Sequence, residues 1–165
     1  MQMKFKSITF IAVLLSCISA NVFAQKWADA IELHQKKIDF LQNQIISNNE
    51  RILSLNSTNP INTRQNTYDL QASINEHLQA ITYMLTNIQI QQILFEMISS
   101  STQITKAKKV LQVRQSQLFK ELSIRVSSIE ALSKFSKDNE TTRYIFEARD
   151  LIKSTQEMVN TNFKY

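Results

Sequence analysis

The chain contains no glycine and a single proline, Pro60, in 165 residues. Tight β-hairpins need positive φ at their corners, supplied above all by Asn-Gly, Asp-Gly or Gly-X pairs. None of these pairs is present, so an antiparallel β architecture is not available to the chain. Long helices joined by Asn- and Ser-built links remain. The expected fold is all-α, an elongated antiparallel bundle of three long helices plus a shorter C-terminal helix.

The apolar spacing supplies those helices. Trp27, Ile31, His34, Ile38, Leu41, Ile45, Asn48, Ile52 and Leu55 recur at alternating steps of four and three, a heptad seam that predicts a helix over about 26–55. Residues 56–66, NSTNPINTRQN, form a loop around Pro60. A second helix is expected over about 66–98, with a seam of Leu70, Ile74, His77, Ile81, Met84, Ile88, Gln91, Phe95 and Ile98, widened by Leu78, Leu85 and Leu94. The stripe breaks at SSST, residues 99–102, where Ser100 and Gln103 fit a capping box. A turn there competes with one continuous rod. A third helix follows over about 102–135, with Ile104, Leu111, Leu118, Leu122, Val126 and Ile129 on one stripe. Asp138 or Asn139 then caps a fourth helix over about 139–163, along whose face lie Ile145, Ala148, Ile152, Val159 and Phe163. The fourth helix is too short to cover the other three, so some apolar surface is expected to be left for another molecule.

Residues 1–24 read as a secretory signal peptide: Lys4 and Lys6, then the apolar run ITFIAVLLSCI, then Ala24 before the cut. The run is shorter than the roughly 20 residues a spanning helix needs. Residues 25–165 are then one bundle domain, periplasmic or secreted. An alternative is an outer-membrane lipoprotein anchored through Cys17, since VLLSC loosely resembles a lipobox. Cys17 is the single cysteine, so a chain starting at Gln25 is held by its core without disulfides. Its formal charge falls from +5 to +3 with loss of Lys4 and Lys6, too mild a balance to imply nucleic acid.

The stretch HLQAITYMLTNIQIQQILF, residues 77–95, carries no charge. Its Gln, Asn, Thr and His residues are too polar for a hydrocarbon core, so no transmembrane span is expected. Two readings remain: a central helix whose neighbours keep charge off it, or an oligomer or partner face. The candidate face comprises Gln89, Gln92, Phe95 and Met97.

Chemistry is poorly served. A phosphate-binding loop, a dinucleotide turn and a nucleophile elbow all require glycine. Carboxylate di-iron bundles use Glu-x-x-His, a spacing that does not occur. His34 and His77 both sit on seams, but a hairpin about Pro60 sets His34 opposite Ile88 and His77 opposite Ile45. They are then eleven residues apart along α-helical rise, about 16 Å, and read as register-setting core positions rather than ligands. Glu147 and Asp150 stand among Arg143, Arg149 and Lys153 and read as an ion-pair network. No catalytic residue, metal or cofactor is expected, and no enzyme.

The third helix is the basic one, with Lys106, Lys108, Lys109 and Arg114 near its start. Cations there oppose the helix dipole. They either solvate the bundle and complement the acidic second helix, or meet an anionic partner such as an acidic protein or an envelope surface. Trp27 is expected at the bundle end, as a cap or an interfacial anchor. The expected function is an exported, non-enzymatic protein acting by protein-protein interaction or self-association, of inhibitor, immunity or chaperone type. The alternative is a structural component of an envelope assembly, such as a helical pilus-associated protein of type IV secretion.

Overall fold

A computed structural model describes residues 28–52, 61–97 and 101–162. The expected signal peptide with Cys17, as well as Gln25, Trp27, Pro60, Ile98, Ser100 and Phe163, lie outside the described residues. Helix α1 covers 28–52, α2 Ile61–Glu96, α3 Ser101–Leu132 and α4 Asn139–Asn162. No strand occurs among the described residues.

Side-chain bonds give the topology. Gln35 Nε2 donates to Thr86 Oγ1 at 3.1 Å and Gln42 Nε2 to the Asn75 carbonyl at 3.4 Å, so α1 and α2 run antiparallel. His77 meets Arg125 across α2 and α3. Gln115 reaches the Val159 carbonyl at 3.2 Å and Gln156 reaches Ser123 Oγ at 2.6 Å across α3 and α4. Tyr144 Oη donates to the Gln44 carbonyl at 3.4 Å, closing α4 onto α1. The four helices therefore form an up-down-up-down bundle, and the first pair has the register expected from a hairpin about Pro60.

The core is one continuous cluster. Ile31, Ile38 and Ile45 from α1, Leu122 and Ile129 from α3, and Ile145, Ile152 and Val159 from α4 are fully buried. On α2 the buried row is Ile74, Leu78, Ile81, Leu85 and Ile88. The expected seam is corrected here: Leu78 and Leu85 are its centre, while His77, Met84, Gln91 and Phe95 are half-buried at its edge. A helix lying against more than one neighbour turns a broader arc inward than a two-helix seam requires.

Two helix boundaries also differ. The loop expected over 56–66 ends sooner, because α2 begins at Ile61. A proline immediately ahead of that point suits a helix start, since its fixed φ is already helical and its missing N–H costs no bond there. The earlier start brings Arg64 into α2. At the other correction, α3 stops at Leu132 rather than about 135. Ser133, Lys134 and Phe135 instead donate their amides three residues back, to Glu130, Ala131 and Leu132, a 3₁₀-type tightening of the last turn. Asp138 then caps α4: its Oδ2 accepts from the Thr141 amide at 2.7 Å. The break between α2 and α3 is a reversal and not a continuous rod, as their antiparallel packing requires.

Candidate functional site at the open end of the helical hairpin

Helix lengths leave one end of the bundle uneven. At 1.5 Å per residue, the 36 residues of α2 extend about 54 Å and the 24 of α4 about 36 Å. Val159 of α4 lies against Gln115 of α3, and the described part of α4 reaches three residues further, to Asn162. The first turns of α3, running toward Ser101, extend past the described part of α4.

Burial along these helices follows the face on which each residue lies. Within the uncharged stretch, Leu78, Ile81 and Leu85 are at most 1 % exposed, whereas Ile90, Ile93 and Leu94 are 50–57 % exposed and Met97, just past it, is 74 % exposed. On α3, Val110 and Val113 are 58 % and 57 % exposed. Along the stretch Leu78, Ile81, Leu85 and Ile88 face the core, while Ile90 and Leu94 continue the exposed face that carries Tyr83 and Asn87. Leu94, read from the sequence as widening the seam, is corrected to a surface residue. The reason is helical phase: Leu94 lies nine residues, about two and a half turns, after Leu85 and so faces the other way.

An open groove runs along the α2–α3 seam of this end. One half, of about 400 Å³, lies between Met84, Asn87, Ile88 and Gln91 of α2 and Arg114, Gln117, Leu118 and Glu121 of α3. The other half, of about 270 Å³, is almost wholly apolar and is walled by Leu94, Phe95, Val110 and Leu111. Gln91 lines both halves, so they adjoin. Of the expected partner face, Phe95 lines the groove and Met97 is exposed beside it. Gln89 and Gln92 are half-buried and line neither half. Ile90, Ile93, Leu94 and Val110 belong to the surface and were missed. Of these only Leu94 is expected on a seam, and the signal that would have found them is their phase, outside the buried stripes of α2 and α3.

The basic cluster borders the same place. Lys106 lies four residues before Val110, Arg114 lies four after it, and Lys109 lies four before Val113, so each shares a helix face with an exposed valine. Lys106, Lys108, Lys109 and Arg114 are exposed, and among the described residues none joins an ion pair. Arg114 donates to the neutral Gln117 amide at 3.1 Å. Glu121, the one acid lining the groove, is held by Arg125 at 2.8 Å. The expected complementarity with acidic α2 is therefore not formed through ion pairs. Because α3 begins at Ser101, these cations sit in its second to fourth turns, beyond most of the dipole's reach.

Several charges elsewhere are paired, although Lys37, Lys120, Lys134 and Lys137 also join no ion pair among the described residues. In a groove between α1 and α4, Arg51 meets Glu140 at 3.2 Å and Arg143 meets Glu147 at 2.7 Å. Asp150 pairs with Arg149 at 2.7 Å, and Lys153 with Glu130 at 3.0 Å, so Glu147 and Asp150 serve ion pairs and not each other.

The histidines part company. His34 Nδ1 donates to the Ala30 carbonyl at 2.8 Å and its other nitrogen lies 3.4 Å from Ser154 Oγ of α4. His77 Nδ1 instead accepts from Arg125 of α3 at 3.2 Å. Burial, reinforced by the Arg125 charge, pushes the His77 pKa below its ordinary value against the weaker pull of Glu76 and Glu121. Among the described residues no group of three His, Cys, Asp or Glu side chains could hold a metal ion, and no helix is long and apolar enough to cross a membrane. No protein-family model, curated protein or solved structure matches the chain.

Proposed function

We propose that this is an exported, non-enzymatic binding protein of inhibitor, immunity or chaperone type that acts through the open end of its α2–α3 hairpin. The observation that carries the reading is the coincidence of exposed Ile90, Ile93, Leu94, Met97 and Val110 with four cations lacking ion-pair partners. Scattered apolar residues on a surface require no explanation, but a contiguous apolar patch rimmed by polar groups marks an interaction site. The glycine-free chain, which cannot form a phosphate-binding loop, a dinucleotide turn or a nucleophile elbow, supports binding over catalysis.

The test is photo-crosslinking in cells expressing the full chain, with a photoreactive phenylalanine analogue at Leu94 or, as a control, at Lys134. A discrete adduct at position 94 and none at 134 is the expected result. No adduct at 94, or equal adducts at both, overturns the reading. Export is tested separately by intact mass of the protein recovered from the envelope fraction. A chain of residues 25–165 is expected, and a diacylated species beginning at Cys17 would replace the soluble reading with a lipoprotein.

One observation favours the alternative, a structural piece of an envelope assembly. Phe40 and Ile46 on α1 and Phe135 at the opposite end of the bundle are also exposed, and a repeating assembly needs a second surface. Adducts at Phe40 that form a ladder of increasing mass would favour that role.

A further inference from the structure

We infer that the α2–α3 groove accepts an amphipathic, acidic helix of another protein, an inference that rests on the binding reading above and names its partner. The groove has the form of a helix acceptor: two antiparallel helices offer a furrow from Met84 to Phe95, eleven residues of α2 or about 16 Å. That length matches three turns of a docked helix, whose apolar side chains at i, i+3 or i+4, and i+7 would fill the furrow. Its apolar half, between Leu94 and Val110, takes the anchors. Its polar half, with Asn87, Gln91 and Gln117, takes hydrogen bonds.

Charge selects among occupants. Arg114 lines the furrow and Lys106 lies one turn before Val110 at its apolar half, both without carboxylate partners, and Glu121 is already neutralised by Arg125. Carboxylates along the edge of an incoming helix would complete these cations. A second copy of this chain fits less well, because face-to-face grooves would bring two sets of the same cations together, a repulsive arrangement. A bilayer also fits less well. It could meet the lysines, but it offers Asn87, Gln91 and Gln117 no hydrogen-bonding groups in its apolar region.

The experiment measures fluorescence anisotropy of designed helical peptides with the protein as recovered from cells. One peptide carries Leu at the anchor positions and Glu along the flanks; a second has Lys in place of Glu. The acidic peptide should bind at least ten-fold more tightly, with affinity falling as salt is raised. Leu94→Asp should weaken it ten-fold or more at unchanged thermal stability. Lys106→Glu with Arg114→Glu should reverse the preference toward the basic peptide, which a merely structural role would not do. No preference for the acidic peptide, or indifference to Leu94→Asp, overturns the inference. So does a dimer in sedimentation, or co-pelleting with phosphatidylglycerol vesicles, that Leu94→Asp abolishes. The Leu94 adduct in cells reports on binding alone, so an adduct with failed peptides removes the acidic helix and leaves the binding role standing.

Discussion

Gln71 of α2 donates a 2.8 Å hydrogen bond to the Thr141 hydroxyl of α4, with both side chains fully buried. The two helices run parallel and pack directly against each other, so this bond sits in the core where apolar packing would be expected. The Thr141 hydroxyl in turn donates to Asp138 Oδ2 at 2.8 Å, the same oxygen that caps α4. Core and helix cap are thereby one hydrogen-bonded chain. Thr141→Val should strand the Gln71 amide and cost about 1–3 kcal/mol. Adding Gln71→Leu should recover part of that loss, because both partners are then apolar. Urea unfolding measures both variants, and a double variant as unstable as the sum of two independent losses would refute the coupling.

The uncharged stretch should split energetically. Ile81 is 1 % exposed and Ile90 is 50 % exposed, although the two are the same residue type on one helix. Ile81→Ala should cost about 2–5 kcal/mol through lost transfer energy and a residual cavity. Ile90→Ala should stay within about 0.5 kcal/mol. Comparable losses in denaturation of the two variants would mean that α2 is covered along its whole length.

His77 should make stability depend on pH. Its native pKa lies below 6.5, so below that pH the unfolded chain binds the proton more readily than the folded one. Stability is therefore full above about pH 6.5 and declines as pH falls toward the native pKa of His77. His77→Gln should flatten this part of the profile between pH 7.5 and 5.5, while leaving the contributions of carboxylates at lower pH. A variant that loses as much stability as the parent over that range would assign the dependence to other groups.

Replacing Lys106, Lys108 and Lys109 together by Gln should leave the melting temperature nearly unchanged, within about 0.5 kcal/mol of stability. These cations make no ion pair among the described residues and lie too far into α3 for a strong dipole effect. Binding of an acidic partner should weaken, and its salt dependence should flatten as exposed charges are removed. A large drop in melting temperature would show that the cluster supports the fold.

The missing glycines and the alternating three-four spacing sufficed for the helices, because secondary structure here follows from local geometry: a hairpin corner needs positive φ, and a helical face repeats every 3.6 residues. The stripe of α3 and the face of α4 were legible for the same reason, as was the antiparallel register of α1 on α2. The start of α2 and the end of α3 were less so, since Asn, Thr and Ser residues near a helix end are compatible with either state. The sequence alone thus determined an all-helical chain and placed a basic cluster near the start of α3. Leu94 is surface for the same local reason: it lies nine residues after Leu85, about two and a half turns, and so faces away from the side that carries Leu78 and Leu85. Only the tertiary structure decided that His77, Met84, Gln91 and Phe95, which share the expected seam with buried Ile74, Ile81 and Ile88, are half-buried at its edge. Their burial depends on how the neighbouring helices pack around α2, which no local spacing sets.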